Sequence, residues 1–151
     1  MAMKFLLIDD DSDDRALFRE ALEEVSPETI CVTEGDTKKA LKDLFDPLVQ
    51  LPNVIFVDIN MPRVSGWDCL NAIKANDNTK EVPIVMYSTS SHERDIDKAF
   101  TLGAACLITK PEDFCQLKRC LSDVVRFLNE NTPLTLLQLQ HTGGGMMSNE
   151  Q

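Results

Sequence analysis

Val54-Ile55-Phe56-Val57-Asp58-Ile59-Asn60-Met61-Pro62 is the stretch that decides the fold. Four apolar residues run together without polar alternation, which reads as a strand covered on both faces, the habit of parallel sheets. The run then stops at a carboxylate. Four more runs of the same kind lie along the chain: Phe5-Leu6-Leu7-Ile8, Ile30-Cys31-Val32, Ile84-Val85-Met86-Tyr87 and Ala105-Cys106-Leu107-Ile108. Between them the apolar period changes to that of helices.

Phe18, Ala21, Leu22 and Val25 stand at i, i+3, i+4, i+7, and Leu41, Leu44, Phe45 and Leu48 repeat the spacing, with Pro47 set to end or bend that helix. Cys69, Leu70 and Ile73 suggest a third helix, and Ile96, Ala99 and Phe100 a fourth. The clearest runs through Phe114, Leu117, Leu121, Val124, Val125 and Leu128. Ser12 marks the start of the first helix; Ser91, with Asp95 soon after it, marks the start of the fourth. Strand followed by helix, five times over, predicts an α/β fold: a five-stranded parallel sheet with right-handed crossovers and helices on both faces.

The chain has 151 residues, 43% of them hydrophobic and 26% charged, which suits one domain and excludes global disorder. No apolar run approaches the roughly 20 residues needed to cross a bilayer, and Met1 to Ile8 is too short for a signal peptide. A cytoplasmic protein is expected. Acidic residues outnumber basic ones 25 to 15, a net charge of −10 that disfavours direct nucleic-acid binding and favours cations. Five cysteines without a Cys-x-x-Cys pair read as reduced, partly buried thiols. The pattern stops after Asn131, so residues 1–131 are expected to form the domain and 132–151 a flexible C-terminal tail without an output domain.

In an open parallel sheet, function gathers beyond the carboxyl ends of the strands. Here the first run ends in Asp9-Asp10-Asp11, the third in Asp58, the fourth in Ser88-Thr89 and the fifth in Thr109-Lys110-Pro111. Two carboxylates about 4 Å apart repel by roughly 4 kcal/mol at an effective dielectric near 20. Asp9, Asp10 and Asp58 together therefore need a cation, and one lysine cannot neutralise three carboxylates. With oxygen donors and no histidine cluster (His92 and His141 stand apart), Mg²⁺ is the divalent ion these residues suit, held by Asp9 or Asp10, Asp58 and a carbonyl near Asn60. Asp11, Asp13 and Asp14 read as charges favoured at a helix start.

With these residues in this order, the chain from about Lys4 to Asn129 resembles a response-regulator receiver domain of two-component signalling. The anchors are Asp9-Asp10, the run Asp58-Ile59-Asn60-Met61-Pro62 with Gly66, Ser88, and Lys110-Pro111. The resemblance implies a flavodoxin-like (βα)5 fold with strand order 2-1-3-4-5, for which a chemotaxis receiver is itself one of the standard illustrations. It implies Asp58 as phosphoacceptor, Mg²⁺ held directly by Asp10 and largely through water by Asp9, and the Asn60 carbonyl as a further ligand. Lys110, aimed by a cis bond to Pro111, would pair with a phosphoryl oxygen, and Ser88 would donate a hydrogen bond to the phosphoryl group. The donor would be a sensor histidine kinase or a histidine phosphotransfer protein; a downstream protein would read the face made by the fourth helix, fifth strand and fifth helix. A second copy of the chain stays open as a partner. The wording around Asn60 and Ser88 is similar to the small receivers that serve phytochrome-type kinases.

Two positions depart from the family pattern. Leu107 stands where many receivers carry a switching aromatic residue, and Ser65 where an acidic residue is frequent. Tyr87 and Trp67 read as packing residues. The leading alternative is a haloacid-dehalogenase-type phosphatase, which also uses an aspartate after a parallel strand with Mg²⁺. That family places a second, proton-transferring aspartate two residues on, where this chain has Asn60. A flavodoxin-like cofactor protein would need a glycine-rich phosphate loop after the first strand, where this chain places aspartates.

Overall fold

Period-two alternation along each strand sorts the apolar side chains to opposite faces of one sheet. Phe5, Leu7 and Phe56 join one buried cluster with Phe18, Leu22, Leu121 and Val124; Leu6, Ile8 and Ile55 join another with Leu44, Leu70, Ile73 and Ile96. The computed structural model describes residues 2–89 and 92–139. Its elements in chain order are β1 (Lys4–Ile8), α1 (Ser12–Val25), β2 (Ile30–Glu34), α2 (Thr37–Leu44), β3 (Val54–Asp58), α3 (Gly66–Ala75), β4 (Ile84–Ser88), α4 (Glu93–Thr101), β5 (Cys106–Thr109) and α5 (Phe114–Asn129), followed by a 3-10 turn at Leu134–Leu136. All strand pairs are parallel and the order is β2-β1-β3-β4-β5. The five-stranded parallel sheet and its order are those expected. Helices α1 and α5 cover one face, and α2, α3 and α4 the other.

Several local expectations are corrected. β2 is not covered on both faces: Ile30 and Val32 are 42% and 36% exposed, because β2 is an edge strand. Leu48 is not part of the α2 stripe; the helix ends at Leu44, Pro47 lies in the following turn and Leu48 is 93% exposed. Phe100 lies on α4 but is substantially exposed, the buried face being Ile96 and Ala99. Ser12 is the first residue of α1 and not its cap. Asp11 caps the helix, its carboxylate accepting from the Asp13 and Asp14 N–H groups. His92 occupies the cap position of α4 without a side-chain bond, and Ser91 lies outside the described residues.

Residues 133–138, expected in a flexible tail, instead pack back onto β5 and α5. Leu134 and Leu137 are buried in the α1–α5 cluster. The Gln138 amide accepts from the Leu107 N–H at 2.6 Å and donates to the Leu107 carbonyl at 3.0 Å. One side chain thus supplies the pair of bonds that a further strand would give the open edge of β5. Residues 140–151 lie outside the described residues. All five cysteines are free; Cys115 is exposed, Cys31 partly buried and the other three buried. Among the described residues, no helix is long and apolar enough to cross a membrane.

Candidate functional site

The site lies at the carboxyl ends of β1, β3, β4 and β5, where the strand order places the ends of non-consecutive segments side by side. Asp9 follows β1 and is fully buried; its N–H donates to Glu34 O at 3.0 Å, continuing the β1–β2 ladder. The Asp9 carbonyl accepts from Arg15 Nη1 at 2.8 Å, and its Oδ1 accepts from the Asp11 N–H at 2.9 Å. Asp58 ends β3 and is 4% exposed. Its Oδ1 accepts from the Asn60 N–H at 3.1 Å, which ties the acceptor loop to the carboxylate. Asp10 is exposed beside them.

Gly66 makes this loop fit. A Cβ at that position would clash with the Asp58 carbonyl oxygen and stand 2.7 Å from Ile59 Cα. The Gly66 N–H donates to Ile59 O at 3.0 Å, so α3 starts in contact with the end of β3. Ser65, the departure from the family pattern, caps α3 by accepting from the Asp68 N–H at 3.2 Å.

On the other side, the Lys110 N–H donates to Ser88 O at 2.6 Å, joining the ends of β4 and β5. Ser88 is buried. The Lys110 ammonium stands 2.7 Å from Asp14 Oδ2, 2.9 Å from Asp9 Oδ2 and 3.7 Å from Asp58 Oδ2. It does so without the expected cis bond: no cis peptide is present among the described residues, and the long lysine stem reaches the carboxylates from a trans Lys110–Pro111 bond.

The electrostatics are those of crowded like charges. Burial, then the charge of Asp9, raises the Asp58 carboxyl to about 6, against the opposing pull of Lys110 and the Asn60 N–H. Burial alone would lower the Lys110 ammonium, but its contacts with Asp14 and Asp9, together with the charge of Asp58, outweigh that and hold it above the ordinary lysine range. Tyr87 is core: its ring meets Phe18 and Phe56 edge-on, and burial raises its hydroxyl far above the usual phenol range.

One ligand atom from each of Asp9, Asp10 and Asp58 lies within 4.8 Å of the others. Asp9 Oδ2 is buried, and the partner it has among the described residues is the Lys110 ammonium at 2.9 Å, which it shares with Asp14 and Asp58. Three hard oxygen donors gathered within 4.8 Å, with one shared ammonium that cannot neutralise them all, fit a divalent cation. Sequence reasoning brought together Asp9, Asp10, Asp58, Asn60, Ser88 and Lys110, and the structure places all six at this end of the sheet. It missed Asp14, read as a helix-start charge, because Lys110 lies 96 positions further along the chain and leaves no local signal.

A family model described as the response regulator receiver domain matches residues 5–122. Response regulator Rcp1 of Synechocystis sp. is 28% identical over 133 residues, covering 85% of this chain and 90% of that protein. The solved structure of the phosphorylated cyanobacterial phytochrome response regulator RcpA is 29% identical with a TM-score of 0.77, over 87% of this chain and 96% of its own. The Mn²⁺-bound form of Rcp1 is 26% identical with a TM-score of 0.72, over 83% and 93%. The alternative of a haloacid-dehalogenase-type phosphatase finds no support in these likenesses.

Proposed function

From the premise that the chain belongs to the response-regulator receiver family, we propose that Asp58 accepts a phosphoryl group, in a Mg²⁺-dependent reaction, from a sensor histidine kinase or a histidine phosphotransfer protein. The observation that carries this reading is the approach of Asp9, Asp10 and Asp58 to within 4.8 Å, with the Lys110 ammonium beside them. An Asp58 oxygen attacks phosphorus as the bond from phosphorus to the donor imidazole breaks, and the imidazole nitrogen keeps that electron pair and takes up a proton. Asp9, Asp10, Asp58 and the Asn60 carbonyl would hold Mg²⁺, which offsets charge on the attacking carboxylate and the phosphoryl oxygens.

Lys110 then pairs with a phosphoryl oxygen and the Ser88 hydroxyl donates to another. Because the Lys110 N–H is bonded to Ser88 O, the two respond together, and the shift is passed to α4, β5 and α5. Leu107, buried and held at its backbone by Gln138, offers no aromatic rotamer for the response. A protein partner that prefers one form reads the state. The likeness to the phytochrome response regulator RcpA supports a phytochrome-linked kinase as donor.

Acetyl phosphate with Mg²⁺ is expected to add one phosphate to the protein, read by intact mass, and Asp58→Asn to remove the adduct. An adduct that persists in Asp58→Asn, or many turnovers of a phosphate ester per protein, would falsify the assignment.

A further inference from the structure

The Lys110 ammonium is not centred on Asp58. It is hydrogen-bonded to Asp14 Oδ2 at 2.7 Å and paired with Asp9 Oδ2 at 2.9 Å, while Asp58 Oδ2 is 3.7 Å away, beyond hydrogen-bond reach. We propose that Asp14 is a positioning residue that holds Lys110 on the α1 side of the site in the resting protein and must release it before the lysine pairs with a phosphoryl group on Asp58. This rests on the reading of Asp58 as phosphoacceptor.

Three observations support it. The Asp14 backbone is fixed: its N–H is bonded to the Asp11 carboxylate at 3.1 Å in the first turn of α1, and α1 is anchored through buried Phe18 and Leu22. It cannot follow the lysine across the site, whereas the four-carbon lysine stem can swing. The Lys110 side chain is 11% exposed and the Asp14 side chain 32%, so the pair is weakly screened while it lasts, yet water can take the lysine's place on Asp14. The groups facing Lys110 from all sides are Asp9 after β1, Asp14 on α1, Asp58 at the end of β3 and the Tyr87 ring on β4, 5.3 Å from the ammonium. Of the three carboxylates, Asp14 alone is neither the proposed acceptor nor a proposed metal ligand. Its loss changes the lysine's resting place while sparing both.

The test compares phosphorylation rates with acetyl phosphate at saturating Mg²⁺, read by intact mass, in the unaltered protein, Asp14→Asn, Lys110→Ala and the double variant. Asp14→Asn is expected to react about tenfold faster, the size of one charge-assisted hydrogen bond no longer broken on the way. In the Lys110→Ala background the same change is expected to do nothing. Beryllofluoride affinity by calorimetry supplies a second reading that needs no transfer, with the same tenfold gain and the same dependence on Lys110. A purely structural role for Asp14 would move the urea midpoint without moving either quantity, and overturns the proposal. So does an equal acceleration with and without Lys110, which would make Asp14 a charge that merely repels the donor. An adduct that forms on Asp58 with no effect of Asp14→Asn sinks this inference alone; no adduct on any variant sinks the phosphoacceptor reading with it.

Discussion

Phe56 and Asp58 lie two residues apart on β3, point to the same face, and are both almost wholly buried, yet they stand in opposite energetic positions. The Phe56 ring packs edge-on against Phe18, with centroids 5.0 Å apart, and meets Phe5 and Tyr87 at 6.0 Å, so its neighbours suit it. Asp58 is surrounded by Asp9 and Asp10, and one lysine shared with two other carboxylates offsets them only in part. Two residues along one strand, the chain passes from a place where burial stabilises to a place where burial is a strain. The core holds the carboxylates where they would not settle by themselves, and the held charge makes this end of the sheet a place suited to a cation.

The contrast can be broken at either end. Phe56→Ala is expected to cost about 3–5 kcal/mol, the usual loss for a buried phenylalanine, seen as a lower urea midpoint. Two changes of intermediate size, each about 1–3 kcal/mol, follow from close contacts. Gly66→Ala forces a methyl group against the Asp58 carbonyl, and it should lower phosphate incorporation along with stability. Gln138→Ala leaves the Leu107 N–H and carbonyl without their partner at the β5 edge, and amide exchange at Leu107 should rise.

Asp58→Asn should act in the other direction, raising stability at neutral pH in chelator by on the order of 1 kcal/mol. The sign follows from the carboxyl, which sits at about 6 in the folded chain and near 3.8 when unfolded. Between these values the folded protein binds the extra proton. The stability that proton contributes is fully present below about pH 4 and is lost as pH rises through about 6. Urea midpoints across that window should fall in the unaltered protein and fall less in Asp58→Asn. At the small end, Leu48→Ser, at a fully solvated position, should stay within about 0.5 kcal/mol.

The fold was legible because its signals are local and redundant: continuous apolar runs for strands, helical spacing between them, and polar residues where each strand ends. Asp9, Asp10, Asp58, Ser88 and Lys110 were legible for the same reason, since the end of a strand can be read from the strand. What escaped depended on distance. The two edges of the sheet show this. β2 was expected to be covered and is partly bare, while β5 is closed by Gln138, 31 residues from Leu107 and in a segment expected to be loose. Neither the edge position of a strand nor the place where a glutamine side chain lands is written in local periodicity. The Asp14–Lys110 pair has the same cause. The cis bond expected before Pro111 came from the family resemblance, and the lysine reaches its partners without it.

The central claim is that the strand ends hold carboxylates in mutual repulsion until a divalent cation relieves it. A Mg²⁺ titration of the melting temperature tests it most directly. A ligand that binds only the folded chain raises that temperature, by about 2.7 kcal/mol of stability at a hundredfold excess over its dissociation constant. The account predicts a saturable rise in the unaltered protein that is lost in Asp10→Asn. No rise, or an equal rise in Asp10→Asn, would contradict it.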